Sequence, residues 1–77
     1  MVLSEVPVGG EAAVARLTGD PALRERLAEL GFTPGARVRL LRRAPLGDPL
    51  EVAVRGSRLA VRADEAREVV VEAGGPA

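Results

Sequence analysis

Apolar and polar positions alternate in several short stretches of this chain, and one longer stretch follows a helical period. In Glu11–Leu17, Ala12 and Val14 fall on one face and Ala13, Ala15 and Leu17 on the other, the spacing of a strand. Arg37–Arg43 points Val38 and Leu40 one way and Arg37, Arg39 and Leu41 the other, which predicts a strand with one polar face. Leu50–Arg55 repeats the alternation with Val52 and Val54 inward, and Arg58–Arg62 does so with Leu59 and Val61 inward. Val69–Glu72 reads as a last strand. Between the first two strands, Leu23, Leu27 and Leu30 recur at i, i+4 and i+7, one stripe on a helix. Asp20 is suited to the N-cap and Pro21 to the first helical position, where no amide partner is lost. Gly31 is suited to the left-handed position after the last turn. The prediction is a helix Pro21–Leu30, its leucine stripe in the core and Arg24, Glu25, Arg26 and Glu29 on the solvated side.

The breaks between these segments are rich in turn formers. Thr33-Pro34-Gly35 fits a tight turn, with Pro at the second position and Gly at the third. Ala44–Pro49 reads as a loop, Gly56-Ser57 as a short hairpin link, and Asp64-Glu65-Ala66 as one helical turn capped by Asp64. Leu3, Val6 and Val8 form a spaced apolar set ahead of the Gly9-Gly10 turn. The order is strand, helix, three strands, a single turn and a strand. Five short strands in 77 residues are too few for an ordinary two-sheet sandwich. A small closed or nearly closed barrel removes the exposed edges instead, with the helix laid over one open end. The chain is therefore a mainly β, single domain over residues 1–77, compact over about 3–72, with Ala73–Ala77 a fraying tail.

Composition narrows the chemistry. Cys, His, Trp, Tyr, Lys, Ile, Asn and Gln do not occur. The chain lacks thiolate and imidazole, the usual ligands of a borderline or soft metal, and it lacks the lysine of a Schiff base or phosphate loop. The hydroxyls of Ser4, Thr18, Thr33 and Ser57 have no His or Lys to activate them. The expectation is a protein that is not an enzyme and has no cofactor. Eleven arginines balance eleven acids to a net charge of zero, against the basic excess usual in a nucleic-acid module. No apolar run approaches the roughly 20 residues that span a bilayer, and Met1–Glu5 has no basic leader, so a cytoplasmic location is expected. The arginine-only, Asn-free and Ile-free alphabet fits a GC-rich genome, and the shortage of labile residues fits a thermophile as well.

Three blocks resemble a known family. Arg26-Leu27-Ala28-Glu29-Leu30-Gly31-Phe32-Thr33-Pro34-Gly35 is similar to the R-L-x-E-L-G-(aromatic or Leu)-x-P-G core of FeoA domains. Ala44-Pro45-Leu46-Gly47-Asp48-Pro49 resembles the family's A-P-x-G-D-P loop, and Gly56–Arg62 its G-x-x-L-A-L-R strand. The blocks run from about Leu3 to Val71 in the family's order. The resemblance implies an SH3-like barrel, a fold shared with the C-terminal domain of iron- or manganese-dependent repressors. It implies a non-enzymatic accessory protein of ferrous iron transport. Such a protein acts by contact with the cytoplasmic part of the FeoB permease and reaches the membrane through that partner only. The alternatives are a small-barrel nucleic-acid-binding protein, or a stand-alone domain with weak transition-metal binding through Asp48 and Glu51 or through Asp64, Glu65 and Glu68. Homo-oligomer formation is left open.

Candidate contact residues follow from where bulk stands without a local reason. Phe32, the lone aromatic, either plugs the barrel end or anchors a partner. Leu46 is an apolar residue between two turn signals. Arg42 and Arg43, with Arg37 and Arg39, either meet an acidic group or lie on a solvated face paired with Glu51, the more ordinary outcome. The expected docking surface joins the Leu30-Gly31-Phe32 corner to the Pro45–Pro49 loop, with Phe32 and Leu46 as anchors and Arg42 and Arg43 at the rim.

Overall fold

The computed structural model describes residues 1–73. A 3₁₀ turn at Leu3–Glu5 leads into β1 (Glu11–Leu17), α1 (Pro21–Glu29), β2 (Arg37–Arg43), β3 (Leu50–Val54), β4 (Ser57–Val61), α2 (Ala63–Ala66) and β5 (Val69–Ala73). The strands form one antiparallel sheet in the order β4-β3-β2-β1-β5. Register shifts at Val14/Arg16 and Leu40/Arg42 add the twist that lets so short a sheet curl. Every strand contributes to a single core, including Val14, Leu40, Val52, Val61 and Val71, so the sheet wraps around its own inner face. The result is the expected small barrel of five strands with one inserted helix. Ala73, expected to begin the fraying tail, instead ends β5, where it pairs with Ala12 on β1; the rest of the expected tail, 74–77, lies outside the described residues. Among those residues no helix is long and apolar enough to cross a membrane.

The helix starts as the sequence dictates. Asp20 accepts a hydrogen bond from the Leu23 amide at 2.8 Å, and Pro21 occupies the first turn. Its end differs. The helix stops at Glu29 and Leu30 is the cap residue, 41% exposed rather than packed as the third leucine of the stripe. Gly31 then takes φ +114, a left-handed conformation that a side chain would strain. The Gly31 amide donates to the Ala28 carbonyl at 3.0 Å and the Phe32 amide to the Leu27 carbonyl at 3.1 Å. That double bond pattern turns the chain back and puts the residue after the glycine against the last turn. Phe32 and Leu27, both 0% exposed, therefore share the core, and the slot expected for Leu30 goes to Phe32. Leu30→Ala is expected to change unfolding free energy by less than about 1 kcal/mol in urea titration, a surface-like effect.

Two other local expectations shift. Arg55 and Gly56, with φ +50 and +79, make the two-residue hairpin turn between β3 and β4, and Val54 pairs with Ser57 across it. The link is thus one residue earlier than Gly56-Ser57. Asp64 does not cap α2, because the helix begins at Ala63. The free amides are met instead by Glu65, which accepts from the Arg62 amide at 3.0 Å, and by Asp48, which accepts from the Ala63 amide at 2.9 Å. Near the start of the chain, Leu3 and Val6 are buried, whereas Val8 is exposed.

Candidate functional site

The most exposed large apolar side chain among the described residues is Leu46, at 95%. The loop that carries it is held at several points. At its first end, the half-buried Arg43 guanidinium donates to the Ser4 and Val6 carbonyls, each at 2.8 Å, tying β2 to the N-terminal segment. Across the base, the Ala44 amide donates to the Pro49 carbonyl at 3.0 Å, and the Gly47 amide closes the tip on the Ala44 carbonyl at 2.7 Å. At its far end, Asp48 caps α2. Arg42, opposite Glu51 in the ladder, donates to its carboxylate at 2.8 Å. Leu46 therefore projects into solvent from a loop closed by two backbone hydrogen bonds and anchored at both ends, and ordering it on contact costs little.

The expected surface does not assemble as one patch. Phe32 is wholly buried and has no surface to offer a partner. Arg43 is used in holding the N-terminal segment, because buried carbonyls need donors and a guanidinium supplies several. The remaining corner residue, Leu30, lies by the β3–β4 turn, where Arg55 donates to the Thr33 hydroxyl at 2.6 Å across Gly31. The Leu46 loop enters β3 at Leu50, and the Arg55 turn leaves it after Val54. The two parts stand at opposite ends of that strand, about 14 Å apart along it. Of the four expected contact residues, Leu46 and Arg42 are the exposed ones. The signal that places Phe32 inside was present in the sequence: it follows the Gly31 stop, where an apolar residue packs back onto the last turn.

The carboxylates weighed as metal ligands, with Glu11, each have a partner: Asp48 caps α2 and Glu51 holds Arg42. Arg26 is paired with Glu65, Thr18 with Glu68, Arg37 with Glu11 at 3.5 Å and Arg62 with Asp64 at 3.8 Å. An open groove of about 600 Å³ between α1 and α2 is lined by Asp20, Leu23, Arg26, Asp64, Glu65 and Glu68. Among the described residues no three carboxylates converge as a set that could hold a metal ion.

The arrangement is that of a compact barrel presenting a braced apolar tip. The model of the FeoA domain matches residues 1–73. The chain belongs to the FeoA domain family. It is 32% identical over 72 residues to the Fe(2+) transport protein A/Fe(2+) transporter FeoB fusion protein of Porphyromonas gingivalis, an alignment covering 94% of this chain. This FeoA domain spans only 8% of that relative's length. Among solved structures it is similar to the FeoA protein of Chlorobium tepidum, with 44% identity and a TM-score of 0.88 over 95% of this chain and 70% of that one. It is also similar to Stenotrophomonas maltophilia FeoA complexed with zinc, described as an SH3 domain protein, with 41% identity and a TM-score of 0.82. That match covers 94% of this chain and 89% of the other. The SH3-like fold follows from this membership. The Stenotrophomonas relative is described as complexed with zinc; this chain has no His or Cys, and Glu65, Glu68 and Asp48 are engaged by an arginine, a hydroxyl and backbone amides.

Proposed function

We propose that this FeoA domain is a non-enzymatic, cytoplasmic partner of a FeoB-type ferrous iron transporter, docking on the transporter's cytoplasmic part through the Leu46 loop. The observation that carries the reading is the Porphyromonas gingivalis relative, in which a transport protein A unit and a FeoB transporter share one polypeptide. Fusion keeps two units at high effective concentration, an arrangement suited to parts that work in contact. The surface supports a protein partner. Leu46 supplies a large apolar anchor, and Arg42 and Glu51 stand near the loop base as a charged rim, the layout of a small interface hot spot. Net charge zero gives no long-range pull toward nucleic acid. Contact with the transporter brings the domain to the membrane.

The test is co-purification of the tagged transporter with this chain from detergent extracts, alongside ferrous iron uptake in cells lacking the domain. Retention of the chain on the transporter, together with reduced uptake in its absence, is the expected result. A chain that never co-purifies while uptake proceeds unchanged overturns the reading.

A further inference from the structure

β4 is an edge strand. It pairs with β3 alone, and among the described residues no backbone group outside that ladder meets it. The other edge, β5, is partly covered: Val2 bridges to Val70, and the Val71 amide donates to the Met1 carbonyl at 2.8 Å. Edge strands in small β domains are ordinarily protected, so a bare one calls for an occupant.

The hairpin turn fixes which groups of β4 face outward. In a two-residue hairpin the residues flanking the turn exchange both backbone bonds, and pairs of that kind recur at every second position. Val54–Ser57, Val52–Leu59 and Leu50–Val61 are therefore bonded pairs, and Ala53–Arg58 and Glu51–Ala60 are not. The amides and carbonyls of Arg58 and Ala60 point away from the sheet.

We infer that two copies of this chain pair through the free edges of β4, antiparallel about a two-fold axis at Leu59. Only one register of β4 with itself uses all the outward groups: Arg58 opposite Ala60 of the second copy, Leu59 opposite Leu59, and Ala60 opposite Arg58. The charges are complementary in that same register. Arg58 and Ala60 lie on the outer face beside Glu51, with Arg58 and Ala60 exposed and Glu51 half-buried. Glu51, Ala60 and Arg58 of the second copy fall in one row across the strands, spanning about 10 Å between the outer Cα atoms. The small Ala60 side chain leaves the guanidinium room to reach over it. Arg58 forms no ion pair within its own chain among the described residues. Glu51 uses Oε2 for Arg42 and keeps Oε1 as an acceptor. On the opposite face, the half-buried Leu59 side chains, already packed against the core, meet across the axis. A second copy of this chain therefore supplies both the strand and the charge that the edge lacks. The strand is five residues long, so the contact area is small and the association weak.

Sedimentation equilibrium of the purified chain over a wide concentration range is the test. Arg58→Glu alone sets Glu against Glu51 twice across the axis, and Glu51→Arg alone sets Arg against Arg58 twice. Each is expected to weaken self-association about tenfold or more. Mixed together, the two variants restore one reversed and one native pair, and a heterodimer is expected. Ala60→Pro removes an outward amide that the fold does not use and is expected to abolish association while circular dichroism stays unchanged. A wild-type chain that remains monomeric up to about 1 mM overturns the inference. So does a mixture of folded variants that stays monomeric, or an edge that takes up a strand from another protein but never from this one.

Discussion

Phe32→Ala is expected to lower the unfolding free energy by about 3–5 kcal/mol, the usual cost of emptying a buried aromatic site. Phe32 is 0% exposed and lies in the same core as Leu27 and strand residues such as Val14, Val38 and Val54. That site is poorly able to collapse, because its walls are held by hydrogen-bonded strands and by the Gly31 turn. A domain of 77 residues has a total stability of about 4–12 kcal/mol, so the loss removes a large share of it. Urea titration followed by circular dichroism reads the effect directly. Phe32→Leu, which keeps most of the volume, should recover most of the stability. A loss under about 1 kcal/mol for Phe32→Ala would show that the residue is not part of a tight core.

Leu46→Asp is expected to do the reverse. At 95% exposure Leu46 buries almost nothing in the free chain, so stability should change by less than about 0.5 kcal/mol. Binding to the transporter should weaken about tenfold or more, because an apolar anchor in a partner's pocket is replaced by a charge that must be desolvated. Titration of the transporter's isolated cytoplasmic part, or quantitative pull-down of the whole transporter, measures it. Phe32→Leu serves as the control that perturbs the core and leaves the tip intact; it should bind as wild type does. Equal binding by wild type and Leu46→Asp would remove the loop from the interface.

The two substitutions separate residues that the sequence places together. Both are isolated bulky side chains next to turn signals, but only Phe32 follows a helix-stopping glycine. What distinguishes them is the geometry of their turns. Gly31 directs the chain back onto the helix it has just left, and the side chain that follows enters the core. The Pro45–Gly47 tip closes on itself, and the side chain at its apex has nothing behind it.

Much of the framework was legible in the chain because it is written in neighbours. Strand alternation in Glu11–Leu17 and Arg37–Arg43 gives both strands with their observed limits, and Asp20-Pro21 starts the helix where it does start. These signals act over two to four residues, through side-chain direction, caps and preset φ values. The tertiary structure decided what depends on partners far along the chain. Arg43 became a clamp on Ser4 and Val6, 39 and 37 positions away. Asp48 became the cap of a helix 15 positions later. The Leu46 loop and the Leu30 corner came to lie at opposite ends of β3, and β4 became an edge. Each of these outcomes is set by which strands pair and how the sheet curls, and pairing energy depends on all five strands at once rather than on any local run of residues.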